Sequence, residues 1–185
     1  VKPIIGCECY VAQRTRHDKV HGLDNERYHL VLLCKNNKGY ENLIKMVSLA
    51  WTEGFYTKPR IDRELLEKYH EGIIALSACL AGEIPKLLMR GDYEKAKETA
   101  LWYNKTFGNG NYFLEMQNHG ILEQQTVNAQ LIRMSKETGI PLVATNDVHY
   151  INSDDYRMHK VLLCVQTGSR LSDENSLEFK TNEFY

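Results

Sequence analysis

Short, nearly continuous apolar runs alternate along this chain with longer segments whose apolar positions recur every three or four residues. The first kind of pattern predicts strands and the second predicts helices. Residues 3–11, PIIGCECYV, alternate apolar and polar around β-favouring types, and YHLVLLCK, residues 28–35, reads as a buried strand. Between them AQRTRHDKVHGLDNER is polar and charged, a long loop or hairpin tip. Residues 37–53 place Leu43, Ile44, Met46, Val47, Leu49, Ala50 and Trp51 on a helical period. A helix over 62–70 starts at Asp62, and the strand GIIALS follows at 72–77. Helices are predicted at 82–90 and at 92–107, the second running from Asp92 to Gly108, with NYFLEM as the next strand. A helix over 121–138 closes at Gly139, IPLVAT reads as a buried strand, and a last helix spans 153–166, starting at Ser153 or Asp154 and ending before Gly168.

Apolar strands separated by helices imply an α/β fold, a parallel sheet covered on its faces by helices, either open and doubly wound or closed into a barrel. In both, functional groups gather at the carboxyl ends of the strands. This gives meaning to PLVATNDVHY, where an apolar strand runs out into Asp147 and His149. If the extended conformation persists, these two side chains project to the same side. Cys79 lies just past the strand 72–77 among small residues, and Glu8 sits inside the first strand in GCEC, where an acid needs a cation partner. If the first two strands form a hairpin, His29 begins the return at the end where the strand of Glu8 finishes. Glu8, His29, Cys79, Asp147 and His149 can then converge on one rim. Carboxylate, imidazole and thiolate together suit zinc, manganese or iron, and clusters of such ions polarise phosphoryl groups and activate water. The chemistry indicated is metal-assisted phosphoester hydrolysis, with Asp147 and His149 as the catalytic pair.

Three further residues are weighed as substrate contacts. His119 follows NYFLEM and lines the same rim or holds a loop, while Lys58 and Arg60 in FYTKPRID meet phosphate or pair with neighbouring acids. His17 and His21 fall in the polar loop and read as solvated, and His159 is given no role.

Charge narrows the partners. Lys and Arg number 23 against 24 Asp and Glu, a net charge of −1, so any nucleic-acid contact is local rather than global. No apolar run has the roughly 20 residues that span a bilayer, and no signal segment opens the chain. Five scattered cysteines without CxxC spacing suit reduced thiols in a cytoplasm. The chain opens on Val1 and enters a strand pattern almost at once, as a fragment cut inside a domain would.

IIGCECYV, YHLVLLCKNNKGYENLIKMVSLAWTEGFYTKPRID, GIIALSACLAGEIP, GIPLVATNDVHY and HKVLLCVQTG, in this order, resemble consecutive blocks of one domain. It is the polymerase and histidinol phosphatase (PHP) domain of the bacterial replicative DNA polymerase III alpha subunits, the C family. The resemblance covers residues 1–185 as a single partial domain. It implies a distorted (β/α)7 TIM-like barrel, left incomplete because the family's opening strands would precede Val1. Two or three divalent metal ions, zinc or manganese, and a 3′–5′ exonuclease in the complete domain are implied as well. Residue by residue, the family's metal ligands fall on Glu8, His29, Cys79, Asp147 and His149. Its His-x-His pair, a further acid and another histidine would lie before Val1, and its polymerase domains beyond Tyr185, so the fragment alone is expected to be inactive. DNA, a proofreading exonuclease subunit and a sliding clamp are the implied partners. A structural docking domain and a free-standing PHP phosphatase are the competing readings.

Overall fold

A computed structural model describes residues 2–173, 177, 179 and 181–185. Six strands form one sheet: β1 (Gly6–Ala12), β2 (Arg27–Cys34), β3 (Arg60–Ile61), β4 (Ile73–Leu76), β5 (Tyr112–Met116) and β6 (Leu142–Ala144). The helices are α1 (Asn37–Thr52), α2 (Arg63–Tyr69), α3 (Glu83–Met89), α4 (Tyr93–Phe107), α5 (Leu122–Thr138) and α6 (Tyr156–Thr167), the last preceded by a 3-10 turn at Ser153–Asp155. Caps decide several starts: the side chains of Asn36, Asp62 and Asp92 accept the backbone N–H groups of Gly39, Leu65 and Lys95. Gly139 ends α5 in the left-handed conformation that a side chain would resist.

The strand order is β3-β1-β2-β4-β5-β6. β1 pairs parallel with β3 but antiparallel with β2, β2 is antiparallel to β4, and β4, β5 and β6 are parallel neighbours. Five strands therefore run the same way and β2 alone runs against them. The otherwise parallel sheet is broken at this one strand, because the 13–26 loop turns the chain straight back into the hairpin that the sequence allowed instead of crossing a face. The consequence is functional: the carboxyl ends of β1, β4, β5 and β6 share a rim with the amino end of β2.

The core lies between sheet and helices, where Leu32, Met46, Leu66, Leu114 and Leu131 are fully buried. IPLVAT does not become a buried strand. β6 is an edge strand of three residues with Leu142 36% exposed, since no further described strand covers it. The sheet is open, with β3 and β6 at its edges, a partial barrel rather than a closed one.

Candidate metal centre

The hairpin sets the first corner of the site. Tyr10 stands opposite His29 and Glu8 opposite Val31. Strand alternation therefore puts Glu8, Tyr10, Arg27 and His29 on one face of the sheet. Glu8 Oε1 lies 2.9 Å from His29 Nδ1, and the Cys79 sulfur lies 3.7 Å from the same nitrogen. One ligating atom from each of Glu8, His29 and Cys79 falls within 4.8 Å of the others. Burial alone would discharge His29, but its hydrogen bonds to Cys79 and Glu8, with the charge of Glu8, raise its pKa to about 9.

Cys79 reaches this corner through an unusual turn. Ala78 has φ 64, a left-handed conformation that costs an alanine about 1–2 kcal/mol. The backbone N–H of His29 donates to Ala81 (3.1 Å) and that of Gly82 to Cys79 (2.8 Å), folding the 77–82 segment against β2. A Cβ on Gly82 would stand 2.1 Å from the Ser77 carbonyl oxygen, so only glycine permits this closure.

Asp147 and His149 make a second corner. His149 Nε2 is 3.4 Å from Asp147 Oδ1. The pair does not meet through strand alternation as expected: β6 has ended at Ala144, and Asp147 has φ 45. A left-handed turn brings them together instead, a conformation Asp tolerates better than most residues. The hydrogen bond to Asp147 raises the pKa of His149 against the effect of burial, and the charges of Asp147 and Glu8 add to it. Glu8 is thus electrostatically within reach of the second corner. The structure brings Glu8, His29 and Cys79 into ligating distance of one another and pairs Asp147 with His149 outside that group.

The remaining candidates sit elsewhere. Arg60 is 1% exposed and donates to the carbonyls of Gly54, Asp24, Arg16 and Asp18, so it organises the 13–26 loop and touches neither a substrate surface nor a carboxylate. Lys58 is half-buried beside it. His119 is completely buried with both ring nitrogens engaged, Nε2 at 2.7 Å from the Asn146 carbonyl and Nδ1 at 2.7 Å from Gln124 Nε2, which removes it from substrate contact. His17 stays exposed, 3.9 Å from Glu53. His159, to which no role was given, packs its ring 5.5 Å from that of His149. Glu115 was missed altogether: this buried acid is the penultimate residue of β5, between the strands that lead to Cys79 and Asp147. Its signal was present in YFLEM, an acid inside an apolar run, the same feature that singled out Glu8.

A profile of the PHP domain family matches residues 1–119. The chain belongs to the PHP domain family. The DNA polymerase III subunit alpha of Borreliella burgdorferi is 48% identical over 186 residues, covering 100% of the chain. The subunits of Deinococcus radiodurans and Thermus aquaticus are 47% and 44% identical, again across the whole chain. The chain spans 14–16% of the length of these curated relatives.

Beside His29, this PHP domain carries an open cleft of about 290 Å³ with Arg27, Lys86 and Tyr10 in its wall. Lys86 is held by Glu26 at 3.3 Å. The Arg27 guanidinium lies 5.2 Å from the Tyr10 ring centroid and donates to the Asn25 carbonyl, with no carboxylate partner among the described residues. A cation without an acid, next to a cluster of ligating groups, is suited to a phosphate. No helix among the described residues is long and apolar enough to cross a membrane.

Proposed function

We propose that this PHP domain is a metal-dependent phosphoesterase that removes nucleotides from 3′ ends of single-stranded DNA, and that it serves a DNA polymerase III alpha subunit in the cytoplasm. The observation that carries the reading is the convergence of Glu8, His29 and Cys79 at the rim where the parallel strands end. Oxygen, nitrogen and sulfur donors this close suit a borderline-soft ion, zinc before manganese, while the oxygen and nitrogen of Asp147 and His149 accept either. Glu8, His29 and Cys79 would hold one ion and Asp147 with His149 a further one. Bound there, such ions supply Lewis-acid polarisation of a phosphoryl oxygen and a water acidic enough to attack at neutral pH.

The chain's own residues do the rest. His29 would release its Nδ1 proton to solvent to become a ligand, exchanging its hydrogen bond with Glu8 for an ion held by both side chains and by Cys79. Arg27 and Lys86 in the cleft bind the phosphate that the cluster is to attack. DNA synthesis, a proofreading exonuclease subunit and a sliding clamp are the activity and partners we assign to the whole alpha subunit, of which the chain matches 14–16%.

The test is metal analysis after equilibration with zinc or manganese, paired with hydrolysis of 3′-labelled single-stranded DNA and of a small phosphate monoester. For the complete domain, two or three ions per chain and cleavage of DNA in preference to the monoester are expected, with Asp147→Asn abolishing cleavage at an intact fold, whereas residues 1–185 alone are expected to be inactive. Absence of bound metal defeats the reading, and a preference for the monoester makes the domain a small-molecule phosphatase. A structural role is the second reading. It is favoured by the apolar stripe on α6, where Met158, Leu162 and Val165 are 65%, 63% and 76% exposed.

A further inference from the structure

We infer that Glu115 is a positioning residue of this centre: its buried carboxyl clamps the turns that follow β4 and β6 and so sets Cys79 and Asp147 relative to each other. The inference rests on the metal-centre reading above.

Glu115 is the penultimate residue of the strand that lies between β4 and β6. Its backbone N–H donates to Ser77 Oγ at 2.8 Å, two residues before Cys79. Its Oε1 accepts the hydroxyl of Thr145, two residues before Asp147, and also Gln117 Nε2 at 3.2 Å. Burial pushes the pKa of this carboxyl up, against the hydrogen bonds from Thr145, Gln117 and the Ala78 backbone that favour its charged form. Glu115 thus holds the exit of β6 through its carboxyl and that of β4 through its backbone N–H, and it lines one void with Ala78 and Cys79, next to two of the non-glycine residues held left-handed, Ala78 and Asp147. Strained backbone persists where the surroundings over-determine it.

Packing alone does not account for the acid. It is 5% exposed, no Lys or Arg pairs with it among the described residues, and its Oε2 has no hydrogen-bond partner there. A leucine or glutamine would avoid that desolvation cost. Glu115 and Gln117, whose Oε2 and Oε1 are unpartnered among the described residues, line with Cys79 a void of about 10 Å³, a volume suited to a single water. A second brace leaves the same strand exit. His119 donates from Nε2 to the Asn146 carbonyl, its tautomer set by Gln124 Nε2, which donates to Nδ1, and Phe184 stacks on the ring at 3.9 Å between centroids. Thr145 and Asn146 are therefore both gripped from β5 just before the chain turns at Asp147.

The test uses cobalt(II), whose ligand-to-metal charge-transfer band reports the Cys79 thiolate and whose d–d bands report coordination geometry. Wild type is compared with Glu115→Gln, which keeps the shape, and Glu115→Ala. At unchanged circular dichroism, both variants are expected to bind cobalt 10–100-fold more weakly with altered d–d bands. Hydrogen exchange of the Thr145 amide, which donates to Met116 in the wild type, is expected to quicken at least tenfold in the metal-free variants. Wild-type affinity, spectrum and exchange in both variants overturn the inference and leave the metal reading standing. A wild type that binds no cobalt overturns the metal reading itself, and exchange at Thr145 then decides whether the clamp exists. Should Glu115→Ala fail to fold, Glu115→Gln decides alone.

Discussion

The two corners of the site are built on opposite terms. Glu8 and His29 stand on β1 and β2, inner strands joined through seven register pairs, and Cys79 follows β4, also inside the sheet. Asp147 and His149 follow β6, an edge strand with three register pairs, and lie in a loop secured by turns and by the 183–185 segment, whose Phe184 carbonyl accepts the His149 N–H at 2.8 Å. The first corner inherits its geometry from the sheet. The second depends on side chains that reach out from β5. A site assembled this way has a fixed half and an adjustable half, and the adjustable half is where supporting residues matter most.

The contrast breaks most plainly if both strands contribute equally to stability. Leu32, central in β2, is 0% exposed, whereas Leu142 on β6 is 36% exposed. Leu32→Ala is expected to cost about 2–5 kcal/mol in urea denaturation and Leu142→Ala less than about 1 kcal/mol. Similar costs would mean that β6 is as firmly seated as the hairpin. A step smaller, Gly82→Ala forces a Cβ to within 2.1 Å of the Ser77 carbonyl oxygen, which the backbone must yield to accommodate. An expected loss of about 1–3 kcal/mol follows, measured by thermal and urea unfolding, with the 77–82 turn displaced from His29. Undiminished stability would show that the first corner is less rigid than its hydrogen bonds imply.

Most of the fixed half was legible in the sequence, and less of the adjustable half. A hairpin was expected to return His29 to the end where the strand of Glu8 finishes, and small residues after GIIALS marked the approach of Cys79. These are local or nearest-strand relations that periodicity encodes. Asp147 and His149 were identified, yet for a geometric reason that fails, since the extended chain they required ends at Ala144. Left-handed backbone at Ala78 and Asp147 leaves no trace in composition when the residue is not glycine. Arg60 and His119 were each weighed between a substrate contact and a local role; the loop-holding role fits His119, while Arg60 meets neither phosphate nor an acid but backbone carbonyls. What buried them were contacts with carbonyls and amides distant in sequence, Arg16 and Asp18 for the first and Asn146 for the second.

Titration separates the corners as well. His29 in the metal-free protein has its pKa raised to about 9 from an unfolded value near 6.5, so folding favours its protonated form. The stability gained is fully present below about pH 6.5 and is lost as pH rises through about 9. Glu8 is partly exposed, with its side chain at 42%, so solvent screening limits the gain to the order of 1 kcal/mol. Urea denaturation of wild type and His29→Gln from pH 5.5 to 9.5 is expected to show a difference that shrinks across this window. Bound zinc should abolish that pH dependence by taking the place of the proton. A difference constant with pH would place the hydrogen bonds of His29, rather than its charge, at the centre of the corner.

The smallest expected effect tests how firmly the turn before Cys79 is held. Ala78→Gly removes a left-handed penalty of about 1–2 kcal/mol. Against that stand the loss of a methyl group that is 1% exposed, about 0.8 kcal/mol, and the greater freedom of glycine in the unfolded chain, about 0.5–1 kcal/mol. The opposing contributions nearly cancel, and stability within about 0.5 kcal/mol of wild type is expected. Ala78→Val keeps the penalty and adds a β-branched side chain in a buried turn, so it should cost more than about 2 kcal/mol. The pair of variants is informative through cobalt binding. If Ala78→Gly leaves stability unchanged but weakens the Cys79 charge-transfer band, the turn holds the thiol in place by its stiffness. If the band is unchanged as well, the thiol is placed by the hydrogen bonds of His29 and Gly82, and the strain at Ala78 is only the consequence of closing the loop.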